Sequence, residues 1–316
     1  MGATPASRSI TAPRRARAYS RRRREAIEGY LYLSPWILGF LFFVGGPMVA
    51  SLLLSLTEYR ITSPPMFIGL DNYRTAFTED RLFWPSLGRT FYFAVISVPV
   101  GITGSLLLAT LLNQGLRGTT LFRTILFLPS LTPVVASALL WTMLLQPETG
   151  VINYALGMLG IPGPRWFGSV QWAIPGLILM TTWGSIGGNR MMIFLAGLQG
   201  VPDSLYDAAS IDGANSWQRF QHVTLPMISP TVFFNLVLGI IGALRVFAAA
   251  MIATQGGPAY ATWFFALHIY TQAFQYFEMG YASALAWSFL VVMLGFTYIQ
   301  FRSSSRWVYY EGETRS

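Results

Sequence analysis

Lysine and cysteine are both absent from this chain of 316 residues, and charged residues make up only 11% of it. Without lysine the chain cannot build a P-loop, which needs that side chain to reach the β- and γ-phosphates of ATP. Without cysteine it can form no disulfide, thiol nucleophile or thiolate metal site. The two histidines, His222 and His268, are too far apart in sequence to indicate a metal site or a catalytic triad. We therefore predict no catalytic residues, no metal and no cofactor of its own.

Apolar side chains are what the chain has in excess, at 53% of residues, with a mean hydropathy of +0.48. Six stretches reach about 20 residues, the length that crosses a hydrocarbon core roughly 30 Å thick. Such stretches must be helical, because lipid offers no partner to backbone polar groups. The sequence predicts an all-α polytopic membrane protein with six transmembrane helices, at Leu31–Leu56, Leu87–Leu112, Thr124–Leu145, Ala173–Leu198, Val232–Thr254 and Ala282–Phe301.

Arginine supplies all 21 basic residues and predicts the orientation of these spans. On the side of the N-terminus there are 14 arginines, eight of them in the first 24 residues, against five on the other side. Because basic residues concentrate in cytoplasmic segments, both termini are predicted to be cytoplasmic. The net charge of +8 then suits anionic lipid head groups better than nucleic acid.

The chain is predicted to form one membrane domain without internal repeats. A basic cytoplasmic tail at 1–29 precedes the six-helix domain at 30–302, which contains a cytoplasmic loop at 199–226, and a second cytoplasmic tail follows at 303–316. The external segment 255–281 opens on a Gly-Gly-Pro turn and then becomes aromatic. Its aromatic part is predicted to be either an interfacial belt or a surface that docks a partner.

Proline and glycine predict irregular points within the spans. Pro99, Pro129 and Pro133 are expected to bend helices around a central cavity. Gly184 and Gly188, spaced as Gly-x-x-x-Gly, indicate close helix packing, with a hinge in the transport path as the alternative.

The loop at 199–226 is far longer than a turn between two spans requires, and it has the pattern of two short helices. Ser204 and Asp207 have the spacing of a capping box, which predicts a helix start. Gly213 can take the left-handed conformation that ends a helix. Asn215 and Gln218 form a second capping-box pattern. We predict a helix, a glycine turn and a second helix, with small and aromatic side chains exposed.

This loop contains Asp207-Ala208-Ala209, Asp212-Gly213-Ala214 and Val223-Thr224-Leu225-Pro226. Their spacing resembles the EAA motif of permease subunits from binding-protein-dependent ABC importers. Asp207 departs from the family, which prefers Glu, and shortens the side chain by one methylene. Four other segments resemble the carbohydrate-uptake branch, in particular the first maltose- or glycerol-phosphate-type permease subunit: Gly69–Tyr73, Leu198–Pro202, Thr254–Pro258 and Gly280–Ala284.

The resemblance implies a type I ABC importer permease fold in the inner or plasma membrane of a bacterium or archaeon. The loop would seat in a groove of an ATP-binding cassette ATPase dimer, which would use the ATP and Mg. A second permease subunit would complete the pathway, and an extracytoplasmic binding protein would deliver a sugar or sugar-like solute. The residues that the resemblance assigns to ATPase coupling are Tyr206, Asp207, Ala208, Ala209, Asp212, Gly213, Ala214, Trp217, Phe220, Leu225 and Pro226.

Polar and aromatic residues inside the spans are candidates for the substrate path, because they suit the hydroxyl groups and rings of a sugar. These are Trp183, Asn189, Asn235 and Arg245. For Asn235 an interhelical hydrogen bond is the alternative. A charge within a span rarely faces lipid, so Arg245 is expected to face a wet cavity. Arg190 is expected to snorkel toward the cytoplasm, with a role in the path as the alternative.

Two other classes of function remain as alternatives. An ion-coupled secondary carrier usually keeps carboxylates within the membrane to bind its ions, whereas all 13 acidic residues lie outside the six predicted spans. An intramembrane enzyme would need an acid–base or nucleophile–base pair within the spans, and the sequence shows none. Both are less favoured than the importer permease.

Overall fold

The computed structural model describes residues 14–115 and 117–309, which form helices apart from one β-hairpin. Turns of π-helix at Leu41–Gly45, Phe220–Thr224 and Thr271–Gln275 and a 3-10 turn at Leu128–Leu131 interrupt the helices. The chain divides after Leu54 into two units, each described by itself below. In chain order the elements are α1 Arg14–Phe40, α2 Gly46–Leu54, β1 Thr57–Arg60, β2 Ser63–Phe67, α3 Asp71–Thr78, α4 Phe83–Leu112, α5 Thr119–Phe127, α6 Val134–Leu144, α7 Val151–Met158, α8 Ala173–Ile186, α9 Asn189–Gln199, α10 Asp203–Ile211, α11 Ser216–Arg219, α12 Leu225–Met227, α13 Ser229–Leu244, α14 Ala248–Ala253, α15 Phe265–Tyr270 and α16 Met279–Ser304.

The first unit contains a long helical stretch, which includes the first predicted span as far as Leu54. The 30 residues Glu25–Leu54 are long and apolar enough to cross a membrane, at about 45 Å if fully helical. The span begins earlier than predicted, so the acidic residues Glu25 and Glu28 lie in its first turn and not outside it. The helix itself begins at Arg14, so the predicted boundary at residue 29 falls within α1. Residues 1–13 of the predicted tail lie outside the described residues.

The second unit is organised around α4, which packs against α8, α9 and α13. Apolar side chains of α4 such as Phe93, Ala94 and Val98 are buried in these contacts. Both α4 and α16 are long and apolar enough to cross a membrane, in agreement with two predicted spans. Arg89 is one of the five arginines that were counted on the external side, and it lies inside α4. Pro99 also lies inside α4, which continues through it.

Two bent helix pairs are long and apolar enough to cross a membrane only when the two helices of each pair are taken together. The predicted third span is Thr119–Leu131 followed by α6, at 96° to each other, and Pro129 and Pro133 stand at the bend. A proline there removes a backbone donor and breaks the helix, as predicted. The second pair is Ser216–Met227, almost all of which belongs to the loop at 199–226, followed by α13 at 67°. The predicted fifth span, Val232–Thr254, begins within α13 and ends at the C-cap of α14. Within the described residues, three helices can span a membrane by length and composition, or five if each bent pair is one span, so the predicted count of six is not confirmed.

The predicted fourth span is divided into two shorter helices. It consists of α8, whose 14 residues reach about 21 Å, and α9, separated by Gly187 and Gly188. A Cβ on Gly188 would lie 2.7 Å from the Cβ of Ser130, and a Cβ on Gly187 would overlap the carbonyl group of Leu126. The predicted close packing is confirmed at Gly188. Gly187, which the Gly-x-x-x-Gly pattern omits, makes the closest approach of these glycines.

A buried asparagine joins the hairpin to the helix that follows it. The Nδ2 of Asn72 donates to the carbonyl oxygens of Ser55 and Thr57, at 2.9 Å each. The hydroxyl of Tyr73 lies 2.8 Å from that of Ser55. Gly69 adopts φ +64°, which allows the chain to turn into α3. The segment Gly69–Tyr73 therefore anchors the hairpin.

The aromatic part of segment 255–281 is divided between core and surface. The prediction of a belt or docking surface is wrong for the central helix α15, which packs in the core, whereas Phe274, Tyr276 and Phe277 are exposed. Phe264 and Phe265 are fully buried, and His268 is 1% exposed. The backbone N–H of Phe265 donates to the hydroxyl of Thr90 on α4. The turn predicted just before it is present, with Gly256 at φ +83°.

Candidate functional site

The first helix of the loop at 199–226 is α10, and it begins differently from the prediction. Its N-cap position is Pro202, which has extended backbone (ψ 132°), and no side chain caps the helix. The capping box predicted at Ser204 and Asp207 is therefore wrong. Asp203 lies in the first turn, where a carboxylate suits the positive end of the helix dipole. Asp207 is exposed and makes no side-chain hydrogen bond within the described residues.

Gly213 ends this helix as predicted, with φ +77°. The N–H of Ala214 donates to the carbonyl of Ala209 at 2.9 Å, the six-to-one hydrogen bond of a Schellman motif. The predicted capping box of Asn215 and Gln218 is also confirmed, with both reciprocal hydrogen bonds present at 2.8 and 2.9 Å. The loop is a helix, a left-handed glycine and a second helix.

The outer face of the loop exposes apolar side chains. Ile211 is 86% exposed and Trp217 is 63% exposed. The ring of Trp217 stacks on Phe220, with centroids 5.7 Å apart. A shallow depression of about 510 Å³ runs beside them and is lined by Leu205, Ala208, Ala209, Asp212, Gly213, Ala214, Gln218, His222 and Val223. Small residues on its floor leave room for a side chain of another protein.

The inner face of the loop is fixed to the helices beneath it. The hydroxyl of Tyr206 lies 3.0 Å from that of Thr224, which is buried. Tyr206 and Val223 pack on a cluster formed by α4, α9 and the start of α13. The loop is therefore packed directly against the helix bundle. Of the predicted coupling residues, Tyr206, Ala209, Ala214, Phe220 and Pro226 are half-buried, and Asp207, Ala208, Asp212, Gly213, Trp217 and Leu225 are exposed.

A second feature is a cavity of about 350 Å³ between α4, α6, α8 and α13. Its polar lining consists of two arginines, Arg190 and Arg245, and four hydroxyl groups, from Ser97, Thr181, Thr182 and Ser185. Arg190 reaches sideways from α9 to Gly101 on α4 and Gly239 on α13. Arg190 therefore lies at the cavity, and its expected snorkelling toward the cytoplasm stays a prediction.

Comparison with known protein families identifies the kind of protein that has this loop and this helix bundle. The model that matches residues 101–309 is the binding-protein-dependent transport system inner membrane component. This stretch contains the loop, the divided span and all of the cavity lining except Phe93, Ser97 and Val98. The chain belongs to that family. It is a permease subunit of an ABC transporter, as the EAA-like motif predicted.

Relatives and solved structures cover nearly the whole permease. It is 42% identical over 295 residues to the probable ABC transporter permease YesP of Bacillus subtilis, with 92% of this chain and 94% of the relative covered. It is 34% identical to the lactose transport permease LacF of Rhizobium radiobacter, with 87% and 93% covered. A bacterial importer of the acidic polysaccharide alginate has a TM-score of 0.79 at 26% identity, with 92% and 99% covered. An alginate transporter in complex with alginate pentasaccharide-bound periplasmic protein has 0.80 at 25%, with 92% and 98% covered.

The four residues predicted for the substrate path are placed differently in the permease. Arg245 lines the cavity. Trp183 is exposed, faces Trp141 at 6.3 Å and is not among the cavity residues, and neither is the exposed Asn189. Asn235 is 2% exposed, and its Nδ2 donates to the Thr231 carbonyl of its own helix. The hydroxyls on α4 and α8 were missed, because Ser and Thr are common in apolar helices and carry no local signal.

A third feature of the permease, absent from the sequence predictions, is a polar cluster around Asp80 in the connection before α4. One carboxylate oxygen of Asp80 lies 2.7 Å from Nε2 of His268 and accepts from the hydroxyl of Tyr281 at 2.6 Å. Trp263 donates to Nδ1 of the same imidazole at 3.3 Å, so the ring proton lies on Nε2 and points at Asp80. Burial opposes ionisation of Asp80, but these hydrogen bonds and one from the Leu82 N–H outweigh it and lower its pKa to about 2.

This pKa predicts an acid-sensitive contribution to stability. Because the folded pKa lies below the ordinary value of 3.8, the contribution of Asp80 is complete above about pH 4 and is lost as pH falls toward 2. The shift corresponds to about 2 kcal/mol of the free energy of unfolding. We expect Asp80→Asn to remove this increment, which thermal unfolding of the detergent-solubilised complex between pH 5 and pH 2 would measure.

The matched control is Glu148→Gln, at an exposed carboxylate. It should keep the acid-dependent loss of the wild type, whereas Asp80→Asn should flatten that part of the curve. Parallel curves for wild type and Asp80→Asn would contradict the role given to this cluster.

Proposed function

We propose that this permease forms a sugar translocation pathway with a second permease subunit, receives its cargo from an extracytoplasmic binding protein, and is driven by a separate ATPase pair through the loop at 199–226. The observation that carries the proposal is the geometry of that loop. Its outer face exposes Ile211 and Trp217 beside a depression with a floor of small residues. Its inner face is fixed to the bundle through Tyr206 and Val223.

Exposed apolar groups at this position favour a protein partner. Large exposed apolar patches rimmed by polar groups mark interaction sites in soluble environments, and aromatic residues are enriched where interfaces are strongest. Orientation follows the arginine distribution, which favours a cytoplasmic loop and cytoplasmic termini. The lack of lysine in the chain supports ATP and Mg being used by the partner, since a P-loop requires that residue.

The sugar class is supported by the relatives. LacF is a lactose transport permease, and the solved importers act on alginate. The cavity suits such a cargo because it combines hydroxyl groups, guanidinium groups and the apolar side chains of Phe93, Val98 and Phe247. Apolar walls with a few convergent polar groups are typical of small-molecule sites.

Charge placed on the exposed face of the loop should weaken the contact with the ATPase. We expect Ile211→Asp to reduce co-purification of the ATPase subunits and ATP-driven uptake by roughly tenfold or more, because an interface then has to bury an unpaired carboxylate. Affinity purification of the reconstituted complex, followed by an uptake assay in proteoliposomes, measures both quantities.

Ile161→Asp is the control, at another exposed isoleucine outside the loop. It adds the same charge and removes the same side chain, and it should leave co-purification unchanged. Equal retention of the ATPase by wild type and Ile211→Asp would rule out docking on this face.

A further inference from the structure

The cavity between α4, α6, α8 and α13 is basic. Arg190 and Arg245 line it, and none of the aspartates and glutamates that the structure describes does. Neither arginine forms an ion pair with any residue in the described part of the chain. A charge within a membrane domain is costly unless it is paired or faces water, so these two cations are held here without a counter-charge from the described residues.

Two glycines leave space for the guanidinium group of Arg190. A Cβ on Gly239 would lie 3.3 Å from Nη2 of Arg190, and a Cβ on Gly101 would overlap its guanidinium. The group therefore lies against two neighbouring helices at positions where only glycine leaves the space. Because a guanidinium has five N–H donors in a planar fork and no acceptor, it presents to the cavity a site for acceptor groups.

The second arginine, Arg245, lies at the end of α13, the helix that also contains Gly239. Arg245 is the C-cap residue of α13, six residues beyond Gly239, which is about 9 Å along a helix axis. A cation suits the negative end of a helix dipole. That interaction leaves the guanidinium donors free, and the side chain is exposed to the cavity.

The three hydroxyl groups that α8 presents to the cavity can accept hydrogen bonds. Thr181, Thr182 and Ser185 donate to carbonyls one turn earlier in α8, at 2.8, 2.6 and 3.2 Å. Their protons are thus engaged, and their remaining lone pairs can accept hydrogen bonds. The cavity offers acceptors on α8 and cationic donors at the two arginines. A ligand that satisfies both has its own hydroxyl groups and at least one negative charge.

We propose that the cargo of this permease is an anionic saccharide, with a carboxylate or another acidic group bound by Arg190 and Arg245 during passage. The inference rests on the proposed transport function and adds the charge of the substrate to it. Relatives alone do not decide this point, because lactose is neutral and alginate is acidic. The two arginines favour the acidic class, since charge-assisted bidentate contacts to a carboxylate are the strong ones.

The test uses proteoliposomes that hold the full complex, with its binding protein outside and ATP inside. They are offered a mixture of uronic-acid oligosaccharides and neutral malto-oligosaccharides of matched length, and mass spectrometry identifies the solutes that accumulate. We expect accumulation of the acidic sugars, and a decrease of roughly tenfold or more in their uptake with Arg190→Gln or Arg245→Gln. A tenfold change corresponds to about 1.4 kcal/mol, which is less than a hydrogen bond to a charged group contributes.

Controls separate charge recognition from packing. Arg190→Lys keeps the charge and should retain more uptake than Arg190→Gln, while Arg165→Gln removes an exposed arginine outside the cavity and should have no effect. Arg245→Gln tests the proposal even if Arg190 variants fail to assemble. Accumulation of only neutral sugars, or unchanged uptake of acidic sugars in Arg245→Gln, would overturn the inference. Absence of any ATP-dependent uptake would instead contradict the proposed function and remove the basis of this inference.

Discussion

Replacing Gly213 with valine should stop sugar uptake while ATP hydrolysis by the complex continues. Gly213 holds φ +77° at the turn between α10 and α11, and a β-branched residue in this region costs of the order of 1–3 kcal/mol. The turn would relax to another angle, so that the exposed face and the anchored face of the loop no longer move together. We expect uptake in proteoliposomes to fall at least tenfold, a larger relative change than in the ATPase rate.

Gly160→Val is the matched control for this experiment. Gly160 has φ +74°, and a Cβ there would meet nothing within 4 Å, as at Gly213. Both substitutions therefore impose the same backbone strain, but only one is in the loop. If the two variants reduced uptake equally, strain alone would explain the effect and the coupling role of the turn would be lost.

Replacing Gly187 with alanine should prevent a stable permease from forming. The added Cβ would lie 2.9 Å from the carbonyl carbon of Leu126 and overlap its oxygen, and the contact is with backbone, which cannot rotate away. Overpacking of this kind costs about 1–3 kcal/mol or more. We expect a fall in the apparent melting temperature of the purified complex and a loss of folded protein in the membrane fraction.

Gly184→Ala makes the same chemical change less than one helical turn earlier. The nearest atom to its new Cβ would be the Pro129 carbonyl oxygen at 3.8 Å, an ordinary contact. This variant should therefore unfold within about a degree or two of wild type. Equal stability of the Gly187→Ala and Gly184→Ala proteins would show that the break between α8 and α9 does not depend on close approach.

Local signals in the loop were enough to predict most of its shape. Gly213 and the Asn215–Gln218 box act through hydrogen bonds within a few residues, so their pattern is visible in the sequence. The box at Ser204 failed because Pro202 already provides the extended residue that starts α10. The helix begins two residues earlier than predicted, with Pro202 and not Ser204 at the N-cap position, so the hydroxyl of Ser204 can no longer cap the first turn.

Contacts between distant segments could not be predicted in the same way. Asp80 and His268 are 188 residues apart in sequence, and neither has a neighbour that indicates the other. Arg190 was expected to snorkel because hydropathy shows only that a charge lies within an apolar stretch. The space beside Gly101 and Gly239 depends on how three helices pack.

A polar residue within a predicted span also does not show by itself whether its side chain faces the substrate path. Asn235 and Arg245 were predicted together as residues of the substrate path, yet Asn235 satisfies its amide on the Thr231 carbonyl of its own helix. Arg245 has no such partner in the described residues and lines the cavity. The sequence cannot tell these cases apart, because the carbonyl that binds Asn235 exists in every helix and the cavity exists only in the folded bundle.

The most direct test of the account is the energy source of uptake. Proteoliposomes containing this permease and its permease partner should accumulate sugar only when the ATPase subunits, internal ATP and the binding protein are all present. Accumulation should persist when ionophores collapse the proton and sodium gradients. Uptake by the permease pair without the ATPase, driven by either gradient, would contradict the account and would identify an ion-coupled carrier instead.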